Sequence, residues 1–115
     1  MTKHDPAETL RQMIEFAEEA ASLASRHEQQ DLATNLSYRR HAERIAELIG
    51  EAANRLPRAI QEQCPEVPWR EIIGMRNWLV HGYDGIDPEI LWDVLHRHAP
   101  NLVPILNALL RKISG

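Results

Sequence analysis

The fold is decided by residues 31–56, which read DLATNLSYRRHAERIAELIGEAANRL. Apolar residues recur in this stretch at steps of three and four, which places them on one face of an α-helix. Those positions are Leu32, Leu36, Ala42, Ile45, Ala46, Ile49, Ala53 and Leu56. The pattern predicts one long amphipathic helix. Gly50 lies inside it, where glycine costs about 1 kcal/mol relative to alanine, so we expect a second helix to approach closely there.

A second helix is predicted upstream of this stretch. Asp5 followed by Pro6 is a typical helix start, because aspartate caps the N-terminus and proline suits the first helical position. Apolar residues then repeat at helical spacing from Leu10 to Ala24. The polar residues 26–30 are expected to connect this helix to the next.

The rest of the chain also has helical patterns, separated by prolines and glycines. In order, the pattern predicts a short helix at 58–63, a loop at 64–68, a helix from Trp69 to a terminator at Gly82, a helix opened by Asp87 and Pro88, and a last helix interrupted or kinked by Pro100 and Pro104. The sequence has no convincing strand alternation or internal repeat. The predicted fold class is therefore all-α, an antiparallel four-helix bundle with additional short helices.

Composition limits the class of protein. With 115 residues, we expect one domain over 1–115. Cys64 is the only cysteine, which fits a reducing compartment, and we find no signal peptide and no membrane-spanning apolar run. We therefore expect a cytoplasmic protein. The net charge of −4 argues against a broad RNA-binding surface but permits a small local site.

One segment of the sequence contains a group of candidate catalytic residues. Arg76, Asn77, His81 and Tyr83 lie on the last turns of the predicted helix from Trp69 and directly after it. Arginine can stabilise a crowded phosphate and histidine can transfer protons, which metal-independent RNA cleavage requires. Asn77 is one turn before His81, so we expect it to hydrogen-bond the imidazole and fix its tautomer. The structural alternative is that Arg76 and His81 only stabilise the helix C-terminus, where cations are favoured.

Glu51 is a further candidate, since it follows the glycine at which we expect close helix packing. If the helix from Trp69 packs there, Glu51 would pair with Arg76 and orient it. The alternative is that Glu51 and its neighbour Glu47 form solvated pairs with nearby arginines, worth a few tenths of a kcal/mol. The sequence contains no glycine-rich phosphate loop, Ser-His-Asp set or zinc-ligand spacing, so we expect no cofactor.

The motif Arg76-x4-His81-x-Tyr83, with Asn77 after the arginine, resembles the signature of the HEPN superfamily, and specifically of the HepT-like toxin ribonucleases. Four further stretches resemble the same subfamily, namely Glu47–Ala53, Pro65–Trp69, Gly74–Asn77 and Asp87–Asp93. The resemblance covers roughly residues 30 to 112. It implies a HEPN-like helical domain that forms a homodimer, with two copies of the motif facing one cleft.

The resemblance also implies roles for particular residues. Arg76 and His81 match the catalytic pair, and Asn77 matches the polar residue that supports them. Tyr83 matches the tyrosine to which a partner antitoxin, a minimal nucleotidyltransferase, attaches AMP from ATP. The expected function is a metal-independent endoribonuclease toxin that acts on an RNA substrate. The alternative is a non-catalytic helical module that dimerises and docks a nucleotidyltransferase.

Overall fold

The structure of the chain, a computed structural model, describes residues 5–81 and 87–115, with the backbone alone for 78–81. Within these ranges the regular elements are all helical, which confirms the predicted all-α class. In chain order they are α1 (Pro6–Ser25), α2 (Asp31–Thr34), α3 (Leu36–Arg55), α4 (Arg58–Glu62), α5 (Trp69–His81), α6 (Pro88–Asp93), a π-helical turn (Val94–His98) and α7 (Ala99–Ser114). Among the described residues, no helix has the length and apolar character needed to cross a membrane.

Two helices begin as their aspartate–proline pairs predict. Asp5 accepts a hydrogen bond from the backbone N–H of Ala7 at 3.1 Å, and Pro6 is the first residue of α1. Asp87 accepts from the backbone N–H of Glu89 at 2.8 Å at the start of α6. Each side chain satisfies a donor that a helix N-terminus leaves without an internal acceptor.

The single helix predicted over 31–56 is wrong in one respect, because it breaks at Asn35. Asn35 has an extended backbone (φ −115°, ψ 99°), and its side chain accepts a hydrogen bond from the backbone N–H of Tyr38 at 3.1 Å. Asparagine competes with helical hydrogen bonding in this way and is a preferred N-cap. The stretch therefore forms α2 and α3. Its apolar spacing continues across the break, so the pattern did not indicate it.

The prolines near the end of the chain do not interrupt the helices with a loop. α6, the π-helical turn and α7 follow one another directly. Proline cannot donate the usual helical hydrogen bond, and its ring crowds the preceding turn. The wider π-helical turn lies directly before Ala99 and Pro100, where it gives that ring room, and Pro104 lies inside α7. The prolines therefore cause no interruption of the helical chain here, and the kink stays a prediction.

The apolar stripes of the helices meet in one core. α1 packs against both α3 and α7, while α5 packs principally on α3. The largest side chains of the core that are almost completely buried are Leu10, Met13, Leu32, Ile49, Leu91, Leu95 and Leu106. Because α5 has one main neighbour, it forms a flank of the bundle. Arg70 and Asn77 on this helix are exposed, so one face of α5 is open to solvent.

Candidate active site

The start of α5 is fixed by hydrogen bonds to α4 and the loop after it, and α4 is in turn bonded to the end of α3. Trp69 is buried, and its indole Nε1 donates hydrogen bonds to the carbonyl oxygens of Gln61 and Cys64, both at 3.0 Å. The Gln61 side chain donates from Nε2 to the carbonyl oxygens of Ala53 and Leu56, both at 3.1 Å. These bonds satisfy carbonyl groups at the end of α3, which the helix itself leaves free. They also hold the helix that carries the motif at a defined place on the bundle.

The middle of α5 lies directly against Gly50 of α3. A Cβ atom built on Gly50 would be 2.6 Å from Cβ of Arg76 and 3.0 Å from the carbonyl oxygen of Ile72. Real Cβ atoms do not approach other carbons so closely, because interiors are packed to van der Waals contact. Gly50 therefore permits the two helices to touch at Arg76, which confirms the predicted close approach.

Arg76 is half-buried, with its stem against α3 and its guanidinium directed toward Asn77. Nη1 of Arg76 donates a hydrogen bond to Oδ1 of Asn77 at 3.2 Å. Nε of Arg76 is buried and has no hydrogen-bond partner among the described side chains. A buried donor without a partner is rare in folded proteins and costs free energy. The packing therefore limits the positions open to the guanidinium, whose one hydrogen bond among the described side chains is the bond to Asn77.

Among the described side chains, no ion pair or hydrogen bond joins Glu51 to Arg76, although both residues are half-buried and Glu51 follows Gly50 directly. The guanidinium of Arg76 turns to the amide of Asn77 instead. The neighbouring Glu47 pairs with Arg44 at 2.9 Å, as the solvated alternative predicted for that residue. The described side chains therefore show no bond through which Glu51 would orient Arg76, and this role of Glu51 stays a prediction.

The His81 side chain and all of Tyr83 fall outside what the structure describes. His81 is the last residue of α5, and its side chain is not described. Gly82 and Tyr83 lie between the two described ranges. The hydrogen bond from Asn77 to His81, the convergence of Arg76 with His81, and Gly82 as helix terminator therefore stay predictions.

Comparison with known proteins identifies the family. The sequence profile described as "Ribonuclease HepT-like" matches residues 13–109, which is most of the chain. The chain belongs to the HepT-like ribonuclease family. This match covers α2 to α6 completely, with most of α1 and α7, and so includes Arg76, Asn77 and His81.

Several relatives of this HepT-like chain also carry ribonuclease names. Two proteins of Methanocaldococcus jannaschii have RNase in their names. One is 27% identical over 100% of this chain and 95% of its own length, and the other is 31% identical over 89% and 94%. A Thermococcus cleftensis protein with ribonuclease HepT in its name is 41% identical over 51% of this chain and 54% of its own length. No solved structure gives a significant match.

Cys64 of the HepT-like chain is held as an unreactive thiol. It is buried, and its Sγ donates a hydrogen bond to Oε1 of Glu66 at 2.6 Å. Burial is the largest cause that raises the pKa of Cys64 to about 12, followed by the hydrogen bond to Glu66 and the charge of that carboxylate. Lys112 acts in the opposite direction. The thiol therefore stays protonated at neutral pH.

This protonation gives a prediction for alkylation. Because the thiolate is the nucleophile and its fraction falls tenfold per pKa unit, Cys64 in the folded protein should react with iodoacetamide at pH 8 at least about a hundredfold more slowly than in the unfolded chain. Intact mass against time measures this rate. Glu66→Gln should increase the rate in the folded protein. Equal rates for folded and unfolded wild type would contradict the assignment.

One group of charged residues near the motif was not predicted from the sequence. Arg58 of α4 and Arg70 of α5 line one surface concavity, together with Glu62 and apolar side chains. The signal that was available is a spacing of seven residues between Arg70 and Asn77, which places both on one face of a helix. The two arginines are distant in sequence, so their proximity needed the packing of α4 near α5.

Proposed function

We propose that this chain is the cytoplasmic toxin of a prokaryotic toxin–antitoxin pair, a metal-independent endoribonuclease neutralised by adenylylation of Tyr83. Membership of the HepT-like ribonuclease family and the RNase names of its relatives support an RNA-cleaving enzyme. The observation that carries the proposal is the position of Arg76. α3 packs against its Cβ at Gly50, and Asn77 accepts a hydrogen bond from Nη1, so the guanidinium, whose fork suits a phosphate, has a defined place on α5.

The proposed reaction is transesterification within the RNA strand. A base removes the proton of a ribose 2′-hydroxyl, and the 2′-oxygen forms a bond to the adjacent phosphorus as the bond from phosphorus to the 5′-oxygen breaks. An acid then gives a proton to the departing 5′-oxygen. Arg76 stabilises the added negative charge of the phosphorane, and the His81 residues of two chains act as base and acid. The products are a 2′,3′-cyclic phosphate and a 5′-hydroxyl.

Product analysis tests this reaction. A single-stranded RNA oligonucleotide should give fragments whose masses match a 2′,3′-cyclic phosphate and a 5′-hydroxyl. The same oligonucleotide with a 2′-deoxyribose at the cleaved position should remain intact, because it lacks the nucleophile. Fragments with a 5′-phosphate and a 3′-hydroxyl would contradict the mechanism.

A homodimer is part of the proposal, because one chain supplies only one arginine and one histidine of the motif. A groove of about 570 Å³ beside α5 offers a surface for a second chain. Its apolar lining includes Ile72, Met75, Ile90, Val94 and Leu102. Ile90 is 54% exposed, which is unusual for a large apolar side chain beside such a groove and typical of interaction surfaces.

The dimer gives a testable prediction. An Arg76→Ala chain and a His81→Ala chain should each be inactive alone, since every cleft then lacks both copies of one group. When the two are mixed and allowed to exchange subunits, each mixed cleft keeps one arginine and one histidine, so weak cleavage should return. Sedimentation velocity and a labelled-RNA assay on the same samples measure both properties. A monomer with full activity would refute the shared site.

A second prediction concerns Tyr83. AMP on this tyrosine would add a bulky group and a negative charge two residues after His81 in the sequence, and in a well-desolvated site like charges would repel an RNA phosphate by several kcal/mol, to order of magnitude. Tyr83→Phe should therefore keep most ribonuclease activity but escape inactivation by the nucleotidyltransferase. Intact mass after incubation with the partner and ATP is the measurement. A gain of AMP by Tyr83→Phe equal to that of wild type would place the modification at another residue.

The non-catalytic binding module remains the second candidate function. The net charge of −4 favours it, because nucleic-acid enzymes more often have a basic excess. The exposed Ile90 and the apolar groove would serve a docking module equally well. The two candidates differ in one result, since only the enzyme cleaves RNA in a manner that depends on His81.

A further inference from the structure

A surface concavity of about 680 Å³ lies where α4 meets the first turns of α5. Charged, polar and apolar side chains line it together, namely Arg58, Gln61, Glu62, Pro65, Trp69, Arg70 and Ile73. Arg58 and Arg70 are exposed, whereas Trp69 is buried and Ile73 is half-buried. The concavity therefore has an apolar floor with two arginines at its surface.

This concavity is in line with the motif. Arg70 and Asn77 are seven residues apart on α5. An α-helix turns about 100° and rises about 1.5 Å per residue. The side chains of Arg70 and Asn77 therefore leave the helix in directions that differ by only about 20°, and the two residues lie about 10 Å apart along the helix axis. Asn77, which accepts the hydrogen bond from Arg76, is exposed on this face. A chain molecule bound along the face would contact Arg70 and the motif at the same time.

The charges of the concavity favour an anion. Within the described part of the chain, neither Arg58 nor Arg70 forms an ion pair, whereas the four arginines Arg11, Arg39, Arg44 and Arg97 do. Glu62 lies one turn after Arg58 on α4 but does not pair with it. Guanidinium forks match the geometry of phosphate oxygens.

We propose that this concavity binds the single-stranded RNA that flanks the cleaved phosphate, with Arg58 and Arg70 each contacting a neighbouring phosphate. Pro65 and Ile73 supply the apolar surface on which a base can rest. The inference depends on the proposed ribonuclease function and adds a substrate-binding surface to it. A local basic surface of this kind lets an acidic protein hold RNA, because phosphate contacts supply most of the sequence-independent affinity. The role assigned to both arginines is binding, and the reaction itself stays at Arg76 and His81.

The decisive variant is Arg58→Gln with Arg70→Gln. It should raise KM for a labelled single-stranded RNA roughly tenfold with little change in kcat, because the lost contacts are remote from the reacting atoms. The slope of log affinity against log salt concentration should become less steep by about 1.4, because each phosphate contact of a single strand contributes about 0.7 to this slope and two contacts are lost. Glu62→Gln should tighten binding, since it removes a negative charge from the same concavity.

The matched control is Arg26→Gln with Arg111→Gln, which removes the same charge from two exposed arginines outside the concavity. This control should keep the wild-type KM and salt dependence. Circular dichroism and melting temperature verify that all variants fold. If both double variants weaken binding equally, the effect is one of net charge and the proposal is overturned. The proposal is also overturned if the Arg58→Gln, Arg70→Gln variant binds RNA like wild type. The same holds if this variant binds RNA normally and fails only to bind the nucleotidyltransferase.

A second probe separates this inference from the proposed function. RNA with 2′-O-methyl groups cannot be cleaved by 2′-oxygen attack, so its affinity reports binding alone. If wild type binds it through both arginines but cleaves no ordinary RNA, the concavity is confirmed and the ribonuclease proposal fails. If wild type cleaves RNA but the affinity for the 2′-O-methyl strand does not depend on Arg58 or Arg70, the concavity fails and the ribonuclease proposal stands.

Discussion

Gly50→Ala is expected to destabilise the protein by about 1–3 kcal/mol, even though alanine is the better helix former. The new methyl group would lie 2.6 Å from Cβ of Arg76 and 3.0 Å from the backbone oxygen of Ile72. Backbone atoms and a Cβ cannot rotate away, so α3 and α5 must separate. The helix-propensity gain of about 1 kcal/mol is smaller than the cost of moving two packed helices. Urea unfolding at a fixed protein concentration measures the change.

The chain offers a matched control in Gly74→Ala. Gly74 is also inside a helix, α5, but a Cβ built on it meets no described atom within 4 Å. This substitution should stabilise the protein by up to about 1 kcal/mol. Opposite signs for the two changes would establish that Gly50 is required by packing against α5. A stable Gly50→Ala protein with wild-type cleavage would contradict the described contact.

The second large effect concerns the proposed catalytic pair. His81→Ala should lower kcat by at least about 10⁴-fold, since general acid–base catalysis contributes about 10²–10⁴ for each group and the dimer loses two. Arg76→Ala should lower kcat by about 10²–10³-fold for each guanidinium that no longer donates to the phosphate in the transition state. Arg76→Lys should restore little, because an ammonium group cannot reproduce the planar fork. Steady-state cleavage of a labelled RNA measures all three.

Folding is not expected to explain these losses. Arg76→Ala retains the Cβ that packs against Gly50, and it gives up one hydrogen bond to the exposed Asn77. The melting temperature should therefore change by only a few degrees. Arg111→Ala, on the exposed surface of α7, is the matched arginine control and should keep wild-type kcat. An Arg76→Ala protein with wild-type kcat would remove the arginine from the mechanism.

The helices and their starts could be predicted from the sequence because the signals are local. Asp5 and Asp87 cap the helices that they were predicted to cap. The break at Asn35 could not be predicted from periodicity, because the apolar spacing of α2 and α3 continues across it. The π-helical turn before Pro100 depends on how the chain accommodates a proline without leaving the bundle.

The candidate site was predictable only in part. A glycine inside an amphipathic helix correctly indicated the contact with the motif helix, because few other causes favour glycine there. The partner of the Arg76 guanidinium, Asn77 rather than Glu51, depends on side-chain directions that spacing does not fix. The concavity with Arg58 and Arg70 combines residues from two helices, and no local pattern relates them.

RNA cleavage by the purified protein in excess EDTA, with wild type and His81→Ala measured side by side, tests whether this protein is a metal-independent ribonuclease. We expect wild type to cleave at the same rate with and without EDTA, and we expect no cleavage by His81→Ala in either condition. Cleavage by wild type that stops in EDTA and returns with a divalent cation would contradict the metal-independent mechanism. Cleavage by His81→Ala at the wild-type rate would contradict the assignment of the catalytic pair.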